Sequence, residues 1–144
     1  MAYLELSTTE LAKTATAFVG KEISNFNGLS DGISFDVELG IKLLPKSIPL
    51  KLVFSEFDAE NEIIIFEIML NSDNKILRKG FRAILKAVTS ILPEDELPEG
   101  VELEDNYLNI TPAEIIEYPG IEITILDVKL KSKKLQINFE IESE

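Results

Sequence analysis

Two rhythms of apolar and polar residues divide this chain. Over ISFDVELGIKL every second residue is apolar: Ile33, Phe35, Val37, Leu39, Ile41 and Leu43, with Ser34, Asp36, Glu38 and Lys42 between them. A period of two turns these sets to opposite faces, which predicts a strand buried on one side. KLQINFEIE alternates as strictly, with Leu135, Ile137, Phe139 and Ile141 inward and Lys134, Gln136, Asn138, Glu140 and Glu142 outward. In the preceding IEITILDVKLK the apolar parity slips, from Ile121, Ile123 and Ile125 to Leu126, Val128 and Leu130. One extra residue in a strand produces such a slip, so the two segments predict a hairpin with a β-bulge near Ile125–Leu126. LKLVFSEF and EIIIFEIML form another predicted hairpin around DAEN. The second of these strands is apolar on both sides, Ile64, Phe66, Ile68 and Leu70 against Ile63, Ile65 and Met69. Such a strand is either central with both faces covered, or it faces a cavity or a partner.

The other rhythm is helical. Ser7 and Glu10 have capping-box spacing, and Leu11, Ala15, Phe18, Val19, Ile23 and Phe26 then recur at helical intervals. The spacing predicts a helix over about Thr8–Asn25, ended by NGLSDG. A second helix is predicted over Lys75–Leu92, capped by Asp73 or Asn74 and stopped by Pro93. Leu77, Phe81, Ile84, Val88, Ile91 and Leu92 share one side of it, and Lys75, Arg78, Lys79, Arg82 and Lys86 the other. The acidic PEDELPEGVELEDN reads as an ordered loop with a short strand, YLNI as another strand, and TPAEIIEY as a short helix with Thr111 as N-cap.

These elements run in the order helix, strands, helix, strands, and most links are too short for parallel crossovers. The expected fold is α+β, a curved and mostly antiparallel sheet with two long helices on one face. In that order, from LSTTELAKTATAFVGKEI through KLQINFEIE, the chain resembles half of a tubular lipid-binding domain. That superfamily includes bactericidal permeability-increasing protein. The resemblance implies long bent strands and two helices that together enclose lipid; it carries no short motif from which individual residues transfer. One such unit is small for a closed tunnel, so it implies a second copy as well.

Composition narrows the chemistry. At 144 residues the chain is expected to form one domain over 1–144, with a core large enough to need no metal or disulfide. It has no cysteine and no histidine, so thiolate sites, histidine ligands and the usual neutral-pH proton shuttle are missing. No serine triad, phosphate-cradling glycine loop or calcium loop is present, and no cofactor or metal is expected. A formal net charge of −12 argues against nucleic acid as a partner. No apolar run has the length of a membrane span and no signal peptide is legible, so a soluble, cytoplasmic protein is expected with peripheral membrane contact at most.

Against that charge, Lys75–Leu92 contains no acid and both arginines of the protein. The functional reading is a docking face for anionic headgroups or an acidic partner, contacted by Lys75, Arg78, Lys79, Arg82 and Lys86. The plainer reading is a solvated helix face neutralised by Glu94, Asp95 and Glu96. Glu22 and Glu67 each interrupt an apolar stripe, as a buried acid at a site or as a carboxylate that reaches water. Bulky residues on both faces of the sheet, and helices enough for one, leave apolar surface that needs covering. Two functions follow. The first is a non-enzymatic binding module for a lipid or other apolar small molecule, lined by Phe66, Ile68, Phe81 and Leu85. The alternative is an interaction domain whose surplus sheet surface forms a homodimer or partner interface.

Overall fold

The computed structural model describes residues 2–16, 22–91, 97, 99–115 and 119–143. The chain opens with a strand, β1 (Ala2–Ser7), before α1 (Thr8–Ala15), β2 (Ile23–Gly28), β3 (Gly32–Glu38), β4 (Ser47–Asp58) and β5 (Ile63–Leu70). Then follow α2 (Lys75–Lys79), α3 (Phe81–Ile91), β6 (Val101–Glu104), β7 (Tyr107–Ile110), α4 (Pro112–Ile115), β8 (Ile121–Lys131) and β9 (Lys134–Ser143). All pairings are antiparallel, and the strands form two sheets rather than one: β2-β3-β4-β5-β7-β6 and β1-β9-β8. The class is α+β.

The cross-strand register lines up one apolar face across the larger sheet. Val37 stands opposite Ile48, Phe35 opposite Leu50 and Ile33 opposite Leu52. Leu50, Leu52, Phe54 and Phe57 meet Leu70, Ile68, Phe66 and Ile64, and the last two meet Leu108 and Ile110 in turn. Two covers share this face. α2 and α3 pack Leu77, Ile84 and Val88 onto Ile48, Leu50 and Ile68. The smaller sheet packs Ile125, Val128 and Leu135 onto Ile64 and Phe66. Leu52 touches both clusters, so the two cores are continuous. Both covers thus lie on one face of β5, the side of Ile64, Phe66 and Ile68. The other side of β5 carries Ile63 and Ile65, half-buried, and Met69, exposed, and none of the three joins either core.

Several expectations need correction. The first helix does not run to Asn25. α1 ends at Ala15, and Ile23–Gly28 is a strand. Helical spacing at Ile23 and Phe26 lost to pairing with β3, where Asn25 turns left-handed (φ 56°) and donates to Asp36 Oδ2 at 2.8 Å. Phe18 and Val19 lie outside the described residues. The order begins with a strand because Leu4 and Leu6 alternate opposite Ile137 and Leu135 of β9. The second helix is broken at Gly80 (φ −89°, ψ 6°), which leaves α3 as the longer piece, while Leu92 lies outside the described residues. β3 stops at Glu38, short of Ile41 and Leu43, because Gly40 (φ 61°) and Leu43 (φ 71°) leave the extended region.

Other local signals are realised. Ser7 Oγ accepts from Glu10 N–H at 3.0 Å, the N-cap half of the expected capping box, and its hydroxyl donates to Glu10 Oε1 at 3.1 Å. Register in the β8–β9 hairpin shifts between Ile125 and Asp127, so Leu126 is the bulged residue. Gly28 is required by proximity: a Cβ there would stand 2.6 Å from the Thr9 nitrogen and 2.7 Å from Thr8 Oγ1. That contact seats the start of α1 on β2.

Candidate functional site

The basic surface starts from the amphipathic pattern of α2 and α3. Asn74 Oδ1 accepts from the N–H groups of Ile76 (2.9 Å) and Leu77 (3.3 Å), starting α2 so that Leu77 turns inward. Leu77, Ile84 and Val88 are buried, and Lys75, Arg78, Lys79, Arg82 and Lys86 are all exposed on the opposite face. Tertiary structure adds a neighbour that periodicity did not reveal. Both Leu44 Cδ atoms lie 3.6 Å from where a Cβ of Gly80 would stand, so loop 39–46 leans on the α2–α3 junction. This loop carries exposed Lys42 and Lys46 and presents Leu43 at 97% exposure. On α2, Ile76 is 61% exposed. Seven of the chain's fourteen basic residues therefore lie on loop 39–46 and residues 75–91, and neither segment contains an acid.

Among the described residues, one ion pair involves this surface. Arg78 Nη2 donates to Asp73 Oδ1 at 2.9 Å, the ion pair recorded for these seven among the described residues. Glu94, Asp95 and Glu96, the acids expected to neutralise the helix, lie outside the described residues. Leu43 holds a left-handed conformation that costs a non-glycine residue about 1–3 kcal/mol, and its side chain is left 97% exposed.

Beside this surface opens a cleft of about 490 Å³, where the end of β5 meets α2 and the β6–β7 turn. Lys51, Glu67, Arg78 and Asn106 give it polar walls, and Ile68 and Phe81 give it an apolar patch. Asn106 Nδ2 approaches Glu67 Oε1 at 3.4 Å. The four residues expected to line one apolar cavity are divided. Phe66 is 7% exposed in the core between the sheets, whereas Leu85 packs against the helix-side core. Ile68, 5% exposed, belongs to the helix-side core and only borders the cleft, whereas half-buried Phe81 lines it. The two singled-out carboxylates do not converge. Glu67 is half-buried at the cleft; Glu22 is exposed beside β2, at the far edge of the sheet order. Among the described residues no group of three acids could hold a metal ion.

Comparison with protein-family models, curated proteins and solved structures finds no match. The tubular lipid-binding likeness was an expectation from a helix-first element order, and the chain instead opens with β1 before a short α1.

The sequence reading missed Leu43, Lys42 and Lys46. Their signal is IKLLPK, a leucine pair between lysines ahead of a proline, hidden because apolar alternation continues unbroken through Gly40. It also missed the cleft, because a strand that outlasts its neighbour leaves no mark on its own residues. No helix among the described residues is long and apolar enough to cross a membrane.

Proposed function

We propose that the protein is a non-enzymatic binding module that docks on anionic lipid headgroups through α2, α3 and loop 39–46. One observation carries the reading: seven exposed cations lie on two acid-free segments, 39–46 and 75–91, which meet where Leu44 touches Gly80, and Leu43 next to that contact is 97% exposed. Each basic residue close to an anionic leaflet contributes about 1 kcal/mol, and burying one leucine side chain adds about 1.5–3 kcal/mol. Neither term alone holds a protein on a membrane; together they do. Screening over about 8 Å at physiological ionic strength lets this local patch act against the net charge of −12 carried by the whole chain. From the tubular lipid-binding resemblance this reading keeps headgroup contact and leaves out an enclosed lipid, since Phe66 and Leu85 are packed in cores.

Sedimentation with vesicles of mixed phosphatidylserine and phosphatidylcholine tests it. Binding is expected to the mixed vesicles, to fall with added salt, and to be lost on pure phosphatidylcholine. Arg82→Glu with Lys86→Glu removes the charge contribution, and Leu43→Asp removes the apolar one. Each should weaken binding by about tenfold or more at unchanged helicity. Equal binding by all three proteins would sink the proposal.

A second reading, a homodimer or partner interface, is favoured by the outer face of β5. Ile63, Ile65 and Met69 belong to neither core, and exposed Tyr107 stands opposite Glu67 on the same face. Native mass spectrometry separates the readings: a salt-resistant dimer supports the interface, and a monomer that retains vesicle binding supports the headgroup surface.

A further inference from the structure

The free end of β5 points to a ligand of a different kind. β7 pairs with β5 only from Ile64 to Glu67. The ladder then closes on the turn residue Asn106, whose carbonyl accepts from Ile68 N–H at 2.6 Å and whose Nδ2 reaches the Ile68 carbonyl at 3.5 Å. On the opposite edge Asn71 N–H donates to the Pro49 carbonyl at 3.0 Å. Successive residues of an antiparallel strand turn their backbone groups to alternate edges. Ile68 therefore faces the β7 edge and Asn71 the β4 edge. Leu70, two residues beyond Ile68, turns its N–H and C=O to the edge that β7 has vacated. The cleft opens at that point, with Leu70 in its wall.

We propose that this cleft binds the C-terminal residues of an extended peptide, which adds beside β5 with Leu70 as its main-chain rung and Arg78 as its carboxylate receptor. An exposed strand edge bonds most readily to another extended backbone, and a flanking groove then selects side chains. Alternate residues of the added segment turn to opposite faces. One meets half-buried Phe81, which asks for an apolar side chain; its neighbour meets Lys51 and Glu67. Beyond Leu70 the chain turns through Asn71–Asn74 into α2 and closes that end, so an added strand must stop there. The Arg78 guanidinium stands at the same end, held by Asp73. The partners of that pair are 63% and 100% exposed, so it is a weak surface pair, and the guanidinium has further N–H donors to offer. Free phosphate would satisfy the cations yet leave the Leu70 rung open, and this distinguishes a peptide from a simple anion.

The test uses the ¹⁵N-labelled full chain and amide exchange. Without ligand, Leu70 N–H should exchange far faster than the N–H groups of Met69 and Asn71. The probe is a pool of free-acid tetrapeptides with an apolar penultimate residue and no acidic side chain. It should slow exchange at Leu70 by about tenfold or more, the effect of one added main-chain bond held at saturation. The same pool as C-terminal amides should bind about tenfold more weakly, as should the free acids to Arg78→Glu, with Arg78→Lys intermediate because it keeps charge without the fork. A pool N-methylated at the pairing amide should leave Leu70 unprotected. Failure of the free acids to bind overturns the proposal, as does indifference to amidation or N-methylation. Equal binding of sodium phosphate without protection of Leu70 also overturns it. Vesicle docking is probed at Leu43, Arg82 and Lys86, which lie outside the cleft, so the two proposals fail separately.

Discussion

Glu62 shows how one side chain can join two sheets. It sits in the β4–β5 turn with φ 55°, and its Oε1 accepts the N–H of Ile125, next to the bulge in β8, at 2.6 Å. A carboxylate on a partly buried N–H is a strong hydrogen bond, so Glu62→Ala should cost about 1.5–3 kcal/mol in urea unfolding and speed exchange at Ile125. Thr8 is the opposite case. It is fully buried, and its hydroxyl has no partner among the described residues. Thr8→Val keeps the shape and removes that hydroxyl, so the urea midpoint should rise, by about 1 kcal/mol of stability. Asp58 governs an acid limb. Its carboxylate accepts from the Asn61 side chain and from the N–H groups of Asn61 and Glu60, bonds that hold its pKa below the usual value. A lowered folded-state pKa stabilises above the unfolded value, and this contribution is lost as pH falls through the folded value. Asp58→Asn should therefore reduce stability near neutrality and flatten its decline in acid, as read from thermal midpoints across that range.

At the scale of elements, the break between α2 and α3 has a local cause that can be removed. Gly80 has φ −89°, and a Cβ there would find only ordinary contacts, 3.5 Å to the Ile76 carbonyl and 3.6 Å to Leu44. Gly80→Ala should stabilise by about 0.5–1 kcal/mol, since alanine loses less backbone freedom on folding. Vesicle binding should be unchanged, because Lys79 and Arg82 keep their exposed face. The apolar face of this helix was legible, with its N-cap narrowed to Asp73 or Asn74, and so was the bulge near Leu126, because capping and parity are properties of neighbouring residues. The first helix was over-extended for the same reason: Ile23 and Phe26 fit a helical stripe, and nothing nearby reveals that β3 is on hand to pair with them.

For the whole molecule, the arrangement of the two cores sets cooperativity. Leu52 packs into both, and β1 ties the start of the chain to β9 near its end. Far-UV circular dichroism and amide exchange in both sheets should report one coincident urea transition; separate midpoints for the sheets would divide the chain into two units. Charge is also arranged at this scale. Half of the basic residues lie on two segments of a chain with 26 acids, and only the fold brings loop 39–46, with Lys42 and Lys46, against Gly80, 36 positions after Leu44. The helix half of the candidate surface was therefore readable in advance, and the loop half was not.

The order of residues alone determined which segments alternate, that helices start at Ser7 and at Asp73 or Asn74, that β5 would be apolar on both faces, and that charge would segregate around Lys75–Ile91. Each of these follows from contacts within a few residues, where backbone geometry dictates which side chains share a face. Tertiary structure decided what covers one face of β5, that Ile23–Gly28 is a strand, that Leu43 is exposed on a loop leaning on α2 and α3, and that β7 stops short of Leu70. Those outcomes depend on pairings between distant segments, whose energies appear only once the backbone has closed on itself.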